Sequence, residues 1–335
     1  MKNIAILPKG ETKEKIITKE NIMYVRKKAI IQFITKFFRA LLIMGLCFLI
    51  LQPILNQISV SIMHRDNLFD PTVIAVPRQF STINFIMAMG FMNYWPTLFR
   101  TIGVTFLVAF LQISACALAA YGFARYEFPL KRFWFFCVIL TILIPPQVIM
   151  APLFLNFRFF DIFGIISAIR GEPLNLIGNL GGYLLMVSTG MGLRSGLYIF
   201  MIRQYFRGVP RDLEESAYID GCNRFRTFVQ IMLPDSMPIL ASCFLFAFVW
   251  QWTDGFYSSI FLINTGVLSL EVSALGENFI GWWITNYGHA ARPPVAILQA
   301  IISTGMLLTI APLIVLYGFT QRTFVESIGT SGIKM

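Results

Sequence analysis

The stretch TIGVTFLVAFLQISACALAAYGFA at residues 101–124 contains no charged side chain. A helix rises 1.5 Å per residue, so about 20 apolar residues cross roughly 30 Å of bilayer hydrocarbon. Two further runs, 133–157 and 294–321, are charge-free over at least that length. The surrounding composition agrees: 56% of the residues are hydrophobic, 33 are Phe, and 13% are charged. A soluble domain carries about 25% charged residues. The chain reads as an all-α, polytopic membrane protein.

Six spans are expected, at 37–63, 101–124, 133–157, 180–205, 238–263 and 294–319. The first is interrupted by Arg39, Gln52, Pro53, Asn56 and Gln57. An even number places both termini on one side, so charge decides the orientation. Of the 27 Lys and Arg, 20 fall in segments sharing a side with the N-terminus: 1–39, 125–132, 203–236 and the tail after 319. The positive-inside rule then puts both termini in the cytoplasm. This distribution around apolar spans also explains the net charge of +10 without invoking nucleic acid. The outward connections are expected at 64–100, 158–179 and 264–293, and hold both His of the chain, His64 and His289. Residues 1–36 read as a cytoplasmic tail, either flexible or an amphipathic surface segment; they give no secretory signal, because more than 30 polar or mixed residues precede the first span. Residues 37–335 are expected to form one membrane domain. Cys47, Cys116, Cys137 and Cys243 lie in apolar spans and read as small apolar filler, and Cys222 lies in a cytoplasmic loop.

The loop at 207–234, RGVPRDLEESAYIDG followed by CNRFRTFVQIMLP, reads as two short helices with a hinge. Pro210 suits a first turn, and Asp212, Glu214 and Glu215 suit the positive end of a helix dipole. Gly221 after Asp220 is a stop signal. Phe225, Phe228, Val229 and Met232 then form one apolar helix face, ended by Pro234.

That loop resembles the EAA loop of ATP-binding-cassette importer permeases. The pattern is Glu-Ala-Ala, three residues, Gly, nine residues, then Ile-x-Leu-Pro. Here it is Glu215-Ser216-Ala217, Gly221 and Ile231-Met232-Leu233-Pro234, with Ser216 for Ala as its departure. The resemblance covers roughly 95–335. YGFARYEFP at 121–129, IPPQV at 144–148 with PLF at 152–154, WTDGF at 252–256 and IGTSGIK at 328–334 look like the second-permease branch of maltose-type carbohydrate importers. The stretch 158–180 is longer than the usual connection, and Pro146 and Thr253 replace a common Gly and Asn.

The resemblance implies six transmembrane helices in the type I importer permease fold. It implies a coupling helix carrying Glu214, Glu215, Ser216, Ala217, Asp220, Gly221 and Pro234, which docks on an ATPase. Glu215, Ala217 and Gly221 would be the contact and hinge positions. The implied partners are a second homologous permease, two ATPase subunits holding ATP and Mg, and an extracellular solute-binding protein. An oligosaccharide would be the cargo, membrane lipid the surround, and the bacterial plasma membrane the location. This chain itself would bind no cofactor and catalyse no reaction.

Charges at bilayer depth cost about 2.5–3.5 kcal/mol each on insertion scales and need a reason. Asp254 lies in the fifth span beside Gln251, Trp252 and Thr253. Such groups suit hydroxyl-rich sugars as pathway residues, or else fix helix packing by hydrogen bonds. Arg194 sits at mid-membrane if the fourth span is 180–205, where it faces the pathway or pairs with Asp254. It is a cytoplasmic flank if the span is 174–193. A pathway Arg would suit an acidic, uronate-containing glycan.

Rival classes fare worse. There is no Gly-rich phosphate loop ending in Gly-Lys-Ser/Thr, so ATP hydrolysis does not belong to this chain. There is no His-Glu-x-x-His pattern for zinc. An ion-coupled secondary transporter of a small polar solute is the remaining alternative, but it would want a relay of ionisable groups and repeated halves.

Overall fold

The computed structural model describes residues 19–70, 72–73, 76–288 and 292–331. His289, residues 1–18 of the expected tail and the last four residues of the chain lie outside them. The helices used below are α1 (Lys19–Ser61), α2 (Ile83–Phe91), α3 (Tyr94–Arg125), α4 (Lys131–Leu143), α5 (Met150–Arg158), α6 (Ile165–Arg170) and α7 (Leu180–Ser188). They continue with α8 (Ser195–Gly208), α9 (Asp212–Ile219), α10 (Met237–Thr253), α11 (Phe256–Phe261), α12 (Leu268–Tyr287) and α13 (Val295–Ser331).

Among the described residues, those up to Gln57 and those from Ile58 onward form two compact units. In the first, α1 is helical from Lys19, and its described side chains are exposed as far as Asn56. Residues 19–36 are thus helical and continue into the first span. The run KENIMYVRKKAIIQFITKFF contains no Gly or Pro to stop it.

Among the described residues, three helices are long and apolar enough to cross a membrane: the Arg26–Ser61 part of α1, the whole of α3, and Val295–Gln321 in α13. Two bent pairs raise the number to five if each counts as one span. Several of the six expected straight spans are therefore broken, each for a local reason. The 133–157 span bends by 105° between α4 and the segment starting at Pro146. Pro145 and Pro146 remove two backbone donors, and the residue before a proline, Ile144, is driven extended at ψ 118°. The 180–205 span breaks between α7 and α8, where Gly190 takes φ +78° and Arg194 φ +60°. The 238–263 span breaks at Asp254, between α10 and α11. The expected outward loop 264–293 instead contains the 20-residue α12. Its buried Leu268, Leu275 and Phe279 recur at helical spacing, and a search for charge-free runs passes over them because Glu271 and Glu277 interrupt the sequence.

In the second unit α3 is central. Ala109, Cys116, Ala117 and Ala120 on it are almost completely buried, and these small side chains let backbones approach where no hydrophobic effect drives helices together. Against them lie Tyr198, Ile199, Ile202 and Phe206 of α8 and Leu240, Cys243 and Ala247 of α10. A second cluster joins Val104 and Val108 of α3 to Tyr183, Met186 and Val187 of α7, Phe157 of α5 and Phe261 of α11. Gly196 is where α8 comes close to α4: a side chain there would strike Thr141 Oγ1 and lie 2.7 Å from the Val138 carbonyl.

Candidate functional site

The loop at 207–234 is built as two helical pieces. In α9, Asp212, Glu214 and Glu215 occupy the first turn. Gly221 ends it at φ +83°: its N–H donates to the Tyr218 carbonyl at 3.1 Å, and the Cys222 N–H donates to the Ala217 carbonyl at 2.9 Å. This is the two-bond Schellman closure that a left-handed glycine permits. No atom lies within 4 Å of a β-carbon added at Gly221, so its constraint is the backbone angle alone.

Pro234 does not end the second piece. It lies inside the helical run Arg224–Asp235, which turns by 77° into α10 only at Ser236. The π-helical turn Phe228–Met232 precedes it, so Pro234 stands in the first turn of a new register, where a missing N–H costs nothing. The apolar face also divides in two. Phe228 and Met232 are buried, whereas Phe225 and Val229 are exposed.

Of the expected coupling residues, Glu215, Ser216, Asp220 and Gly221 are exposed, joined by Tyr218 and Ile219. Ala217 is buried within the chain, 2% exposed, so the free face of α9 is offered by its neighbours instead. Ser216 Oγ donates to the Asp212 carbonyl at 2.8 Å.

Glu214 turns inward. Its Oε1 accepts from the Tyr121 hydroxyl at 3.0 Å, and its Oε2 lies 3.2 Å from Arg125 Nε. Arg125 Nη2 donates to the Val209 carbonyl at 2.8 Å. The Arg125 and Glu214 side chains are 6% and 8% exposed. Tyr121 and Arg125 are four residues apart and share a face of α3. The loop is thereby clamped to the central helix by a buried ion pair. The sequence offered a signal for this clamp, since a Tyr and an Arg one turn apart stand at the end of the otherwise charge-free run 101–124.

The expected pathway residues separate. Trp252 is buried, and its Nε1 donates to the Thr309 carbonyl at 3.0 Å. Gln251 is buried and accepts from the Tyr183 hydroxyl. Asp254 is buried and accepts from the Phe256 N–H at 3.1 Å and the Ser258 N–H at 3.0 Å, capping α11. These three side chains tie α10 to α13, α7 and α11. Thr253 is exposed and donates to carbonyls of its own helix.

Arg194 stands at the α7–α8 break, exposed and left-handed. It does not pair with Asp254, because that carboxylate caps α11; among the described residues Arg194 has no ion pair. Its guanidinium lies 3.6 Å above the centre of the Trp250 ring. The exposed group is therefore Arg194, Trp250 and Thr253, and Trp250 was not singled out from sequence.

The break itself is held by Gln112 of α3, which sequence reading also passed over. Its Nε2 donates to the Leu193 carbonyl at 2.6 Å and to Ser195 Oγ at 2.9 Å. Gly192 makes room for it, since a β-carbon there would lie 2.8 Å from the Gln112 amide. Irregular backbone at membrane depth survives only where protein satisfies it. The available signal was a single amide inside a charge-free span.

Comparison with known proteins places this geometry. The family model for the binding-protein-dependent transport system inner membrane component matches residues 112–328. The probable ABC transporter permease protein YurM of Bacillus subtilis (strain 168) is 25% identical over 284 residues, 84% of this chain and 83% of that protein. The arabinooligosaccharides transport system permease protein AraQ of Halalkalibacterium halodurans is 24% identical over 292 residues, 86% of this chain and 93% of its own length. The fold is like that of a solved bacterial ABC transporter involved in the import of the acidic polysaccharide alginate, with a TM-score of 0.64 at 21% identity, covering 86% of this chain and 96% of that one. The family match takes in α8, the 207–234 loop, α10 and most of α13, well over half the sequence. This chain belongs to the family of binding-protein-dependent transport system inner membrane components, the permease subunits of ABC importers.

Proposed function

We propose that the chain is one of two homologous permeases in an ATP-driven oligosaccharide importer, with the 207–234 loop seated on an ATPase subunit. The observation that carries this reading is the buried clamp of Glu214 on Tyr121 and Arg125. Through it, a displacement of α9 reaches α3, against which α7, α8 and α10 pack. The free face of Glu215, Ser216, Tyr218 and Ile219 is the docking surface, and closure of two ATPases would drive alternating access. ATP and Mg belong to those partners, and an extracellular solute-binding protein delivers the cargo. Both termini are assigned to the cytoplasm on the 20-to-7 charge distribution. Uptake by the reconstituted complex should require ATP and be blocked by vanadate. Uptake driven instead by an imposed pH gradient would overturn the importer reading.

Gly221→Ala tests the loop directly. A left-handed backbone costs a non-glycine residue about 1–2 kcal/mol. With no steric clash to add to it, the thermal midpoint should fall modestly. Replacing Glu215 and Gly221 together with bulky residues should also strip the ATPase from the purified complex.

For the cargo, an acidic, uronate-containing glycan is the class that fits. Arg194 is exposed at a helix break, in a strained backbone conformation, and stacked on Trp250, which leaves the edge of its guanidinium free for a carboxylate. The name of the AraQ relative, an arabinooligosaccharide permease, supports the broader oligosaccharide class. Losing a charge-assisted hydrogen bond costs about 1.5–3 kcal/mol, roughly a 10- to 100-fold effect. Arg194→Met should weaken uptake of uronate-containing oligosaccharides by that factor and spare neutral ones of the same length. Equal uptake of the acidic cargo by both proteins would remove Arg194 from the pathway.

A further inference from the structure

The segment between α5 and α7 forms a pinned hairpin. Phe160 and Leu174 exchange backbone hydrogen bonds at 3.0 Å each, and the Leu176 N–H donates to the Phe157 carbonyl at 2.9 Å. The Gly178 N–H donates to the Ile260 carbonyl at 2.9 Å, and Asn264 Nδ2 donates to the Gly178 carbonyl at 3.1 Å. Phe157 packs edge-on against Phe261 at 5.0 Å and stacks with Phe160. The base is therefore fixed to α11. That helix lies beyond the end of α10 opposite the 207–234 loop, a separation of about 25 Å for a 17-residue helix.

The tip of this rigid hairpin is apolar. Phe163 is 98% exposed and holds φ +54°, beside Gly164 at φ +80°. Ile162 is exposed next to it, and Ile165 and Ile169, four residues apart, share one exposed face of α6. Asp161, the carboxylate nearest the tip, is turned inward: it accepts from the Ile166 and Ser167 N–H groups and from Ser167 Oγ. Exposed Arg158 and Arg170 flank the tip, and exposed Glu172 lies on the return strand. Behind the tip, Phe159 and then Leu155 and Phe154 of α5 are also exposed, with exposed Arg158 and Asn156 among them.

We propose that this hairpin inserts Phe163, Ile162, Ile165 and Ile169 into the lipid interface on the membrane face away from the 207–234 loop, with Arg158 and Arg170 on lipid phosphates. Three observations favour lipid over a protein partner. The patch belongs to a membrane-spanning chain, the exposed cations Arg158 and Arg170 around it outnumber the exposed Glu172, and the Asp161 carboxylate is occupied by hydrogen bonds from the hairpin's own N–H and O–H groups. Amphipathic elements of this kind bury their apolar side at the headgroup boundary, where long cationic side chains keep their heads at the phosphates. The hairpin would then brace α11 and α5 against the bilayer while the bundle moves. The inference concerns lipid contact alone and stands whatever the cargo is.

The test is photocrosslinking of the whole importer in nanodiscs of phosphatidylethanolamine and phosphatidylglycerol, with and without its solute-binding protein. Phe163 is replaced by p-benzoylphenylalanine, an aromatic residue at a site with no packing to lose; Ile169 provides a second position, and Glu172 a comparator. The expected result is a mass increase of one phospholipid at positions 163 and 169, several-fold above that at 172, unchanged by the binding protein. A crosslink to the solute-binding protein would assign the tip to protein docking and overturn the proposal. Equal lipid yields at all three positions, or no adduct at all, would overturn it as well.

Discussion

Glu214→Ala is expected to disable the transporter by releasing the coupling loop from the bundle. The substitution removes the acceptor for the Tyr121 hydroxyl and leaves the Arg125 guanidinium buried without its counter-charge. Breaking one side of a buried ion pair costs about 3–5 kcal/mol, because the remaining charge stays desolvated. The purified complex should show a large drop in thermal midpoint, and substrate uptake should vanish even where ATPase subunits remain bound. The pair itself is not a large source of stability, since apolar replacements for both partners are often neutral. Glu214→Met combined with Arg125→Met and Tyr121→Phe should therefore recover most of the midpoint. Uptake recovers too if packing transmits the motion, and stays lost if the charged clamp does. A single Glu214→Ala chain with native midpoint and native uptake would show that the clamp does not operate.

The second large effect is expected at Gln112. Gln112→Met keeps the side-chain volume and removes the donor that serves the Leu193 carbonyl and Ser195 Oγ. An orphaned buried acceptor costs about 1–3 kcal/mol, and two are created here, of which the hydroxyl can rotate to another partner. The α7–α8 break should then relax, and Arg194, whose position over Trp250 depends on that break, should shift with it. The expected reading is a lowered midpoint together with a raised KM for acidic oligosaccharides. Adding Ser195→Ala should cost little more, because Ser195 is the less demanding partner. An unchanged KM would mean that Arg194 keeps its place without Gln112.

Much of this was written in the sequence, and the dividing line is physical. Length and absence of charge alone determined that 101–124 and 294–319 are membrane helices, because a run of that kind has no stable alternative in water or lipid. Local spacing determined the loop as well. The acidic first turn, Gly221 and its left-handed stop follow from backbone preferences that act within a few residues. The same spacing carried the family resemblance, which the match over residues 112–328 supports.

Tertiary structure decided the rest. Whether 180–205 runs straight depended on Gln112, a residue far away in sequence that offers the broken backbone a partner. Whether Glu214 faced the ATPase or the bundle depended on Tyr121 and Arg125 arriving beside it. Asp254 could be read as a pathway carboxylate or as a packing group, and it was the turn of the backbone there that presented two N–H groups to it and made it the cap of α11. Polar side chains at membrane depth must be satisfied, and the sequence states that demand without naming the partner. The partner is set by long-range packing, so the apolar runs could be read from the chain, while the roles of the few polar groups among them were fixed only when the helices came together.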